Sequence, residues 1–235
     1  MQKKSSALKT TPFIFTLIIA PAIVLLCNSL IKSKSYYVAA VLMIICAIIP
    51  FFAYFEHRKI KTSEIVILAV MTALAVAARS LMMFLPQVKP TAAVIIITAM
   101  AFGPACGFLT GVLSMFLSNF IFGQGMFTPF QMLGMGLVGF FSGVIFYKRK
   151  KLCNRYAVSL TGGLLTFSVY GLCVDTCSVL MLSGSFTPKS VISIFLSGIS
   201  FNVIHGITTA LILFFITAPM NEKFSRLRIK YGIFG

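Results

Sequence analysis

From Pro86 to Gly143 the chain reads as a membrane core interrupted by its own turns: PQVKPTAAVIIITAMAFGPACGFLTGVLSMFLSNFIFGQGMFTPFQMLGMGLVGFFSG. The stretch is apolar enough for lipid, yet prolines, glycines and a few amides break it. Gly103, Gly107 and Gly111 recur every four residues and so share one helix face, and Gly139 and Gly143 repeat that spacing on the next apolar run. Small-residue faces of this kind let helix backbones approach closely in a membrane. The breaks at Pro86–Pro90 and Gly123–Pro129 bring polar side chains to helix ends. A packed centre with its ligand loops attached is the expected result.

Composition agrees. Hydrophobic residues make up 59% of the chain and charged residues 10%, and the mean hydropathy of +1.01 lies far from that of a soluble domain. A formal charge of +16 would suit a nucleic-acid partner, but the basic residues cluster at the ends of apolar runs. That is the pattern the positive-inside rule produces, and nucleic-acid binding is set aside. Cysteines 27, 46, 106, 153, 173 and 177 form no CxxC and mostly sit inside apolar runs, so they read as small buried hydrophobes. Cys173 and Cys177 share a helix face from which the intervening Asp175 points away. No metal site and no cofactor are expected.

At the N-terminus, Lys3, Lys4 and Lys9 precede the apolar run Pro12–Ile31. It is of span length and no A-x-A site follows, so it is expected to remain as an anchor. A second run, Tyr36–Phe55, completes a two-helix hairpin. A basic loop with His57, Arg58, Lys59 and Lys61 leads to Thr62-Ser63, a candidate helix cap followed by Glu64 in the first turn. The helix Ile65–Leu85 carries Ala69, Ala73 and Ala77 at spacing four. On spacing alone this stripe reads more readily as internal packing than as a docking face for another membrane subunit.

Charge decides the topology. Thr91–Phe102 would be about 18 Å long as a helix, short for a hydrocarbon core of about 30 Å. Phe102-Gly103-Pro104 is therefore either a kink in one helix or a tight turn between two. A turn gathers Lys3, Lys4, Lys9, Arg58, Lys59, Lys61, Lys148, Arg149, Lys150, Lys151, Arg155, Lys223, Arg226, Arg228 and Lys230 on one side. Only Lys32, Lys34, Lys89 and Lys189 remain opposite, with Arg79 inside a helix. The turn is the reading that satisfies the positive-inside rule. The expected fold is an all-α membrane protein: a hairpin with its basic loop (1–63), a six-helix core (64–218) and a basic tail (219–235), both termini cytoplasmic. The remaining core segments are Thr128–Tyr147, Ala157–Leu182 and Lys189–Ala218. Pro86–Pro90, Gly123–Pro129 and Ser183–Pro188 then meet on the outer face.

An ionisable group at the centre of a membrane helix costs roughly 2.5–3.5 kcal/mol, so each needs a partner or a job. Arg79 and Asp175 fall in the outer halves of their helices and either pair with each other or face a polar ligand. Asn119, Gln124 and Gln131 bracket the Gly123–Pro129 loop and are ligand candidates, as is Lys89 in the outer Pro86–Pro90 loop. His205 shares a face with Asn202 in FNVIHG and reads first as a packing element, in the lower half of the core. The sequence lacks GxxxxGK[ST], an acid cluster for metal-dependent phosphoryl transfer and GxSxG, which argues against an ATPase or an intramembrane hydrolase.

The core resembles the substrate-binding membrane subunits (S-components) of energy-coupling factor transporters, the vitamin-uptake branch of ABC transporters. The resemblance rests on Ala69xxxAla73xxxAla77, the short second segment and the LPQVKP…FGQGMFTPFQM run, and it covers roughly Ile65–Ala218. It implies a non-enzymatic bacterial membrane subunit that binds a vitamin from outside, with a membrane coupling subunit and two cytoplasmic ATPases as partners. It also turns the alanine stripe into the docking face for the coupling subunit. Among ligands it lies nearest to members assigned to cobalamin or its precursors; riboflavin, biotin, folate and a queuosine precursor stay open. A scaffold protein, with glycine faces serving oligomerisation alone, is the alternative of another class.

Overall fold

The computed structural model of the protein describes residues 62–85, 88–183 and 187–231, together with Leu42 and Ile45. The expected N-terminal hairpin and its basic loop lie outside the described residues, apart from Leu42 and Ile45, both helical, of which Leu42 packs against the core, and the last two residues of the loop, Thr62 and Ser63, which open the next helix. Lipid offers no hydrogen bonds to a backbone, so an open chain spanning it satisfies its own amides as helix. The described residues contain helices and turns and no strand. The helices are α1 (Thr62–Leu81), α2 (Thr91–Phe102), α3 (Pro104–Phe122), α4 (Thr128–Phe146), α5 (Arg155–Leu165), α6 (Gly171–Ser183) and α7 (Pro188–Tyr231). A π-turn, Thr166–Tyr170, joins α5 to α6 within one span, Arg155–Ser183. Among the described residues five segments are long and apolar enough to cross a membrane and α2 is the short sixth, which makes the expected six-segment core.

α2 is the centre of the bundle. Its apolar residues are spread round the whole helix rather than along a stripe, and every one of its residues is buried. At its end the chain reverses on a single residue. Gly103 has φ 102°, a conformation open to glycine and strained for residues with a Cβ. Its N–H closes α2 on the Ala99 carbonyl at 2.9 Å, and Pro104 opens α3 at a position where a missing N–H costs nothing. A side chain added at Gly107 would land on the Ala99 methyl. In a kinked continuous helix those two residues would stand about 12 Å apart; here they face each other, so the segment is a hairpin.

α3 and α4 run antiparallel with almost no side chain between them. A Cβ on Gly139 would overlap the Gly107 carbonyl, one on Gly111 would overlap the Met135 carbonyl, and one on Gly143 would overlap Pro104. The glycine spacing in the sequence is therefore a backbone contact repeated over three turns, with Ile95 of α2 pressed into the same seam at 2.9 Å from the Gly139 Cβ position.

The two ends of the bundle differ. One end gathers the Gly103 turn, Tyr147 against it, the 147–154 loop and the late part of α7, where Phe224 packs edge-on to Phe102 with centroids 5.0 Å apart. Asn154 caps α5 there by accepting from the Ala157 amide at 2.7 Å. The other end gathers the connections after α1, α3 and α6. Two boundaries differ from expectation. α1 ends at Leu81, residues 82–85 being turn and bend. α7 does not stop at Ala218 but continues through Pro219 to Tyr231. A proline inside a helix removes a hydrogen bond at a cost of about 3 kcal/mol; burial of Phe224 on Phe102 and an Arg226–Glu222 pair one turn apart hold the extension in place.

Gly139→Ala is expected to lower the melting temperature of the purified protein in detergent, by an amount equivalent to about 1–3 kcal/mol, because the added methyl meets backbone that cannot rotate away. An unchanged melting temperature would mean that the two helices are not in backbone contact.

Candidate functional site

A set of polar residues from several helices meets at the end formed by the connections after α1, α3 and α6. Arg79 sits in the last turn of α1 and is 4% exposed. Its Nη1 donates to Ser118 Oγ and, at 2.7 Å, to Asn119 Oδ1, both on α3. The guanidinium covers one side of the Phe122 ring at 4.5 Å, and the Lys89 ammonium lies 5.3 Å from the same ring. Burial, and then the neighbouring Arg79 charge, holds the Lys89 ammonium pKa below its usual range.

Asn119 carries the network to α4. Its Nδ2 donates to Thr128 Oγ1 and to Gln131 Oε1, both at 3.0 Å. Thr128 in turn donates to Gln124 Oε1 at 3.1 Å and accepts from the Gly125 amide at 3.2 Å. Gln124 Nε2 closes the loop on the Phe116 carbonyl at 3.0 Å. Residues from three connected elements are thereby fixed without a carboxylate.

Asp175 belongs to a second cluster. Its Oδ2 accepts from Asn202 Nδ2 at 2.8 Å, across the α6–α7 interface. Both side chains lie over bare backbone: Asp175 fills the place of a Cβ on Gly198, and Asn202 that on Gly171, where the Asn202 Cγ is 2.8 Å away. Of the two alternatives for Arg79 and Asp175, the ion pair is thus not formed. Each finds a neutral partner on the helix next to it.

Between the clusters lies a cavity of about 370 Å³. Lys89, Gln131, Tyr170, Asp175, Asn202 and His205 supply its polar edge, and Val174, Leu182, Ile194 and Phe201 contribute an apolar wall. Tyr170 ends the π-turn, a feature that often marks functional sites because the extra residue re-aims the side chains after it. Its ring meets His205 edge-on at 5.2 Å. His205 is 4% exposed and its Nε2 has no hydrogen-bond partner among the described residues.

Among the sequence-derived candidates, Lys89, Gln131 and Asp175 line the cavity, while Arg79 and Asn119 stand behind Gln131 and Gln124 is exposed and not part of the lining. Counting from the helix start puts Asn202 and His205 too low. α7 is 44 residues long and its Asn202 is level with Asp175 of α6, to which it donates, so counting from the helix start does not give depth. Tyr170 carries no sequence signal, since a π-turn leaves none. Gly171 and Gly198 are a usable sign, as small residues opposite a polar pair on adjacent helices.

Ala69, Ala73 and Ala77 are exposed, on the face of α1 opposite Leu68, Met71, Thr72, Ala75 and Arg79. The stripe takes no part in internal packing among the described residues.

The family model described as "ECF-type riboflavin transporter, S component" matches residues 59–222. Comparison with curated proteins and with solved structures gave no match. The family match takes in all six core segments and well over half of the 235 residues, so the chain belongs to the ECF-type S-component family: multi-pass membrane subunits that bind the substrate of a vitamin transporter, and not a family of enzymes.

Proposed function

We propose that this protein captures riboflavin, or a vitamin of its size and shape, at the outer face of a bacterial plasma membrane. The observation that carries the reading is the cavity of about 370 Å³ with one polar edge and one apolar wall, in a chain whose family description names riboflavin. Pockets for drug-sized molecules occupy roughly 300–1,000 Å³ and combine an apolar lining with a few placed polar groups. A flavin has the matching division, an apolar dimethylbenzene ring at one end and a pyrimidine edge and ribityl chain at the other. Cobalamin suits the amides but is far larger than a drug-sized ligand, and it is the second reading.

The partners in this proposal are a membrane coupling subunit and two cytoplasmic ATPases, which supply the energy that this chain has no motif to obtain. The exposed face of α1 along Ala69, Ala73 and Ala77 is the docking surface for the coupling subunit. Small side chains allow helix axes to approach closely, which is the main source of helix association in lipid. Both termini are cytoplasmic, residues 1–63 are an addition to the six-segment core, and residues beyond 218 extend it at the cytoplasmic side.

Riboflavin added to the purified protein is expected to lose its fluorescence with a saturable, one-to-one titration and to raise the melting temperature; cyanocobalamin at the same concentrations is expected to do neither. The reverse result would exchange the two readings. Ala73→Leu is expected to leave riboflavin binding within about twofold while abolishing co-purification with the coupling subunit, since its bulk falls on the exposed face of α1. Loss of binding with assembly intact would return the stripe to internal packing. In a cysteine-free background, Gly125→Cys is expected to react with an impermeant thiol reagent on intact cells and Lys151→Cys to react only after lysis; the opposite pattern inverts the topology.

A further inference from the structure

The direction of a hydrogen-bond chain is set by the member that cannot reverse. Arginine carries five N–H donors and no acceptor, so Arg79 can only donate. Asn119 must therefore turn Oδ1 toward it, at 2.7 Å, and that choice fixes the other end of the amide. Both hydrogens of Nδ2 go to α4, one to Thr128 Oγ1 and one to Gln131 Oε1. The Thr128 branch obeys the same polarity, since its hydroxyl passes its own hydrogen to Gln124 Oε1 and leaves Gln124 Nε2 to reach the Phe116 carbonyl.

On the branch that ends in the cavity, the oxygen of Gln131 is occupied by Asn119. With that oxygen turned to Asn119, the opposite end of the amide, the Nε2 amino group, is directed away from Asn119 on a side chain that lines the cavity. A glutamine alone at a cavity wall could turn its amide either way with little change in shape. Here a buried cation two residues back removes that freedom, and polarised chains of this kind reinforce each member.

We propose that Arg79 is a positioning residue: acting through Asn119, it turns Gln131 so that the cavity presents a hydrogen-bond donor, and the ligand edge seated there is an acceptor such as a carbonyl oxygen or ring nitrogen. The inference uses the flavin reading for its probe, because the pyrimidine ring of a flavin carries carbonyl oxygens along its edge. It also explains why Arg79 is buried behind the cavity wall, with Phe122 over its face, and needs no contact with the ligand.

Asn119→Asp tests this at constant shape. The new carboxylate still accepts from Arg79 but has no N–H for Gln131, so Gln131 reverses and shows its carbonyl to the cavity. Riboflavin binding to the full-length protein in detergent is expected to weaken about ten- to hundredfold, the effect of one buried polar mismatch. The melting temperature is expected not to fall, because Arg79 gains a charged partner. Gln131→Met is expected to weaken binding as well, and Asn119→Asp added to Gln131→Met to weaken it no further. Undiminished affinity in Asn119→Asp, or additive losses in the double variant, would overturn the proposal. Should Asn119→Asp fail to fold, Arg79→Lys, still a pure donor, is expected to keep most of the affinity, and Arg79→Gln, which can present either end, to lose it; equal affinities sink the idea. A wild type that binds cyanocobalamin and not riboflavin defeats the flavin reading alone, and the same variants then decide the polarity of Gln131 with cyanocobalamin as probe.

Discussion

The contact between the Gly107 and Gly139 backbones sets the geometry of most of this molecule. In lipid there is little hydrophobic gain from bringing one apolar helix against another, and close packing has to supply the attraction. With glycine at Gly107, Gly111, Gly139 and Gly143, α3 and α4 approach until carbonyl groups lie where side chains would be. That approach leaves no room on the seam for anything larger, and it fixes the relative height of the two helices. Asn119 near the end of α3 and Gln131 near the start of α4 are consequently held 3.0 Å apart. Polar geometry at one end of the bundle thus depends on apolar geometry along its length.

α2 has the complementary role. A helix of twelve residues cannot span the hydrocarbon by itself, yet it is the most buried element of the described chain. Its shortness is tolerable because its neighbours surround it, and because Gly103 lets the chain turn back without a loop. The result is a rigid centre around which the longer helices are arranged, with α6 and the early part of α7 at the cavity side. Those two are tied to each other by Asp175 and Asn202 over the bare backbones of Gly198 and Gly171. One cavity wall therefore rests on glycine-packed helices and a cation-directed amide chain, while the other rests on a single polar pair and on Tyr170 against His205.

The division of surfaces on α1 fits a subunit that works in an assembly. One face buries Leu68, Met71 and Ala75, and the same helix ends in Arg79, which reaches into the network behind Gln131. The opposite face shows alanines and large apolar residues such as Val66 and Val70. A single helix thus carries both an open small-residue face and the buried cation that orients the cavity wall.

Much of this was legible in the sequence. The span lengths, the glycine faces, the reversal at Gly103 and the polar residues flanking the 123–129 turn all come from local rules: hydropathy, helix periodicity and the distribution of basic side chains. These signals are local because a membrane helix must satisfy its own backbone whatever lies beside it. What tertiary structure alone decided was partnership. The sequence offers Arg79 and Asp175 as natural counter-charges, but the packing sets Arg79 against Asn119 and Asp175 against Asn202. It also brings His205 to the cavity, three residues after the Asn202 that pairs with Asp175, and it aims Tyr170 there through a π-turn that no spacing in the sequence announces. Polar contacts between helices depend on relative height and rotation to within an ångström or two, and those are fixed by close packing of the whole bundle rather than by any one segment.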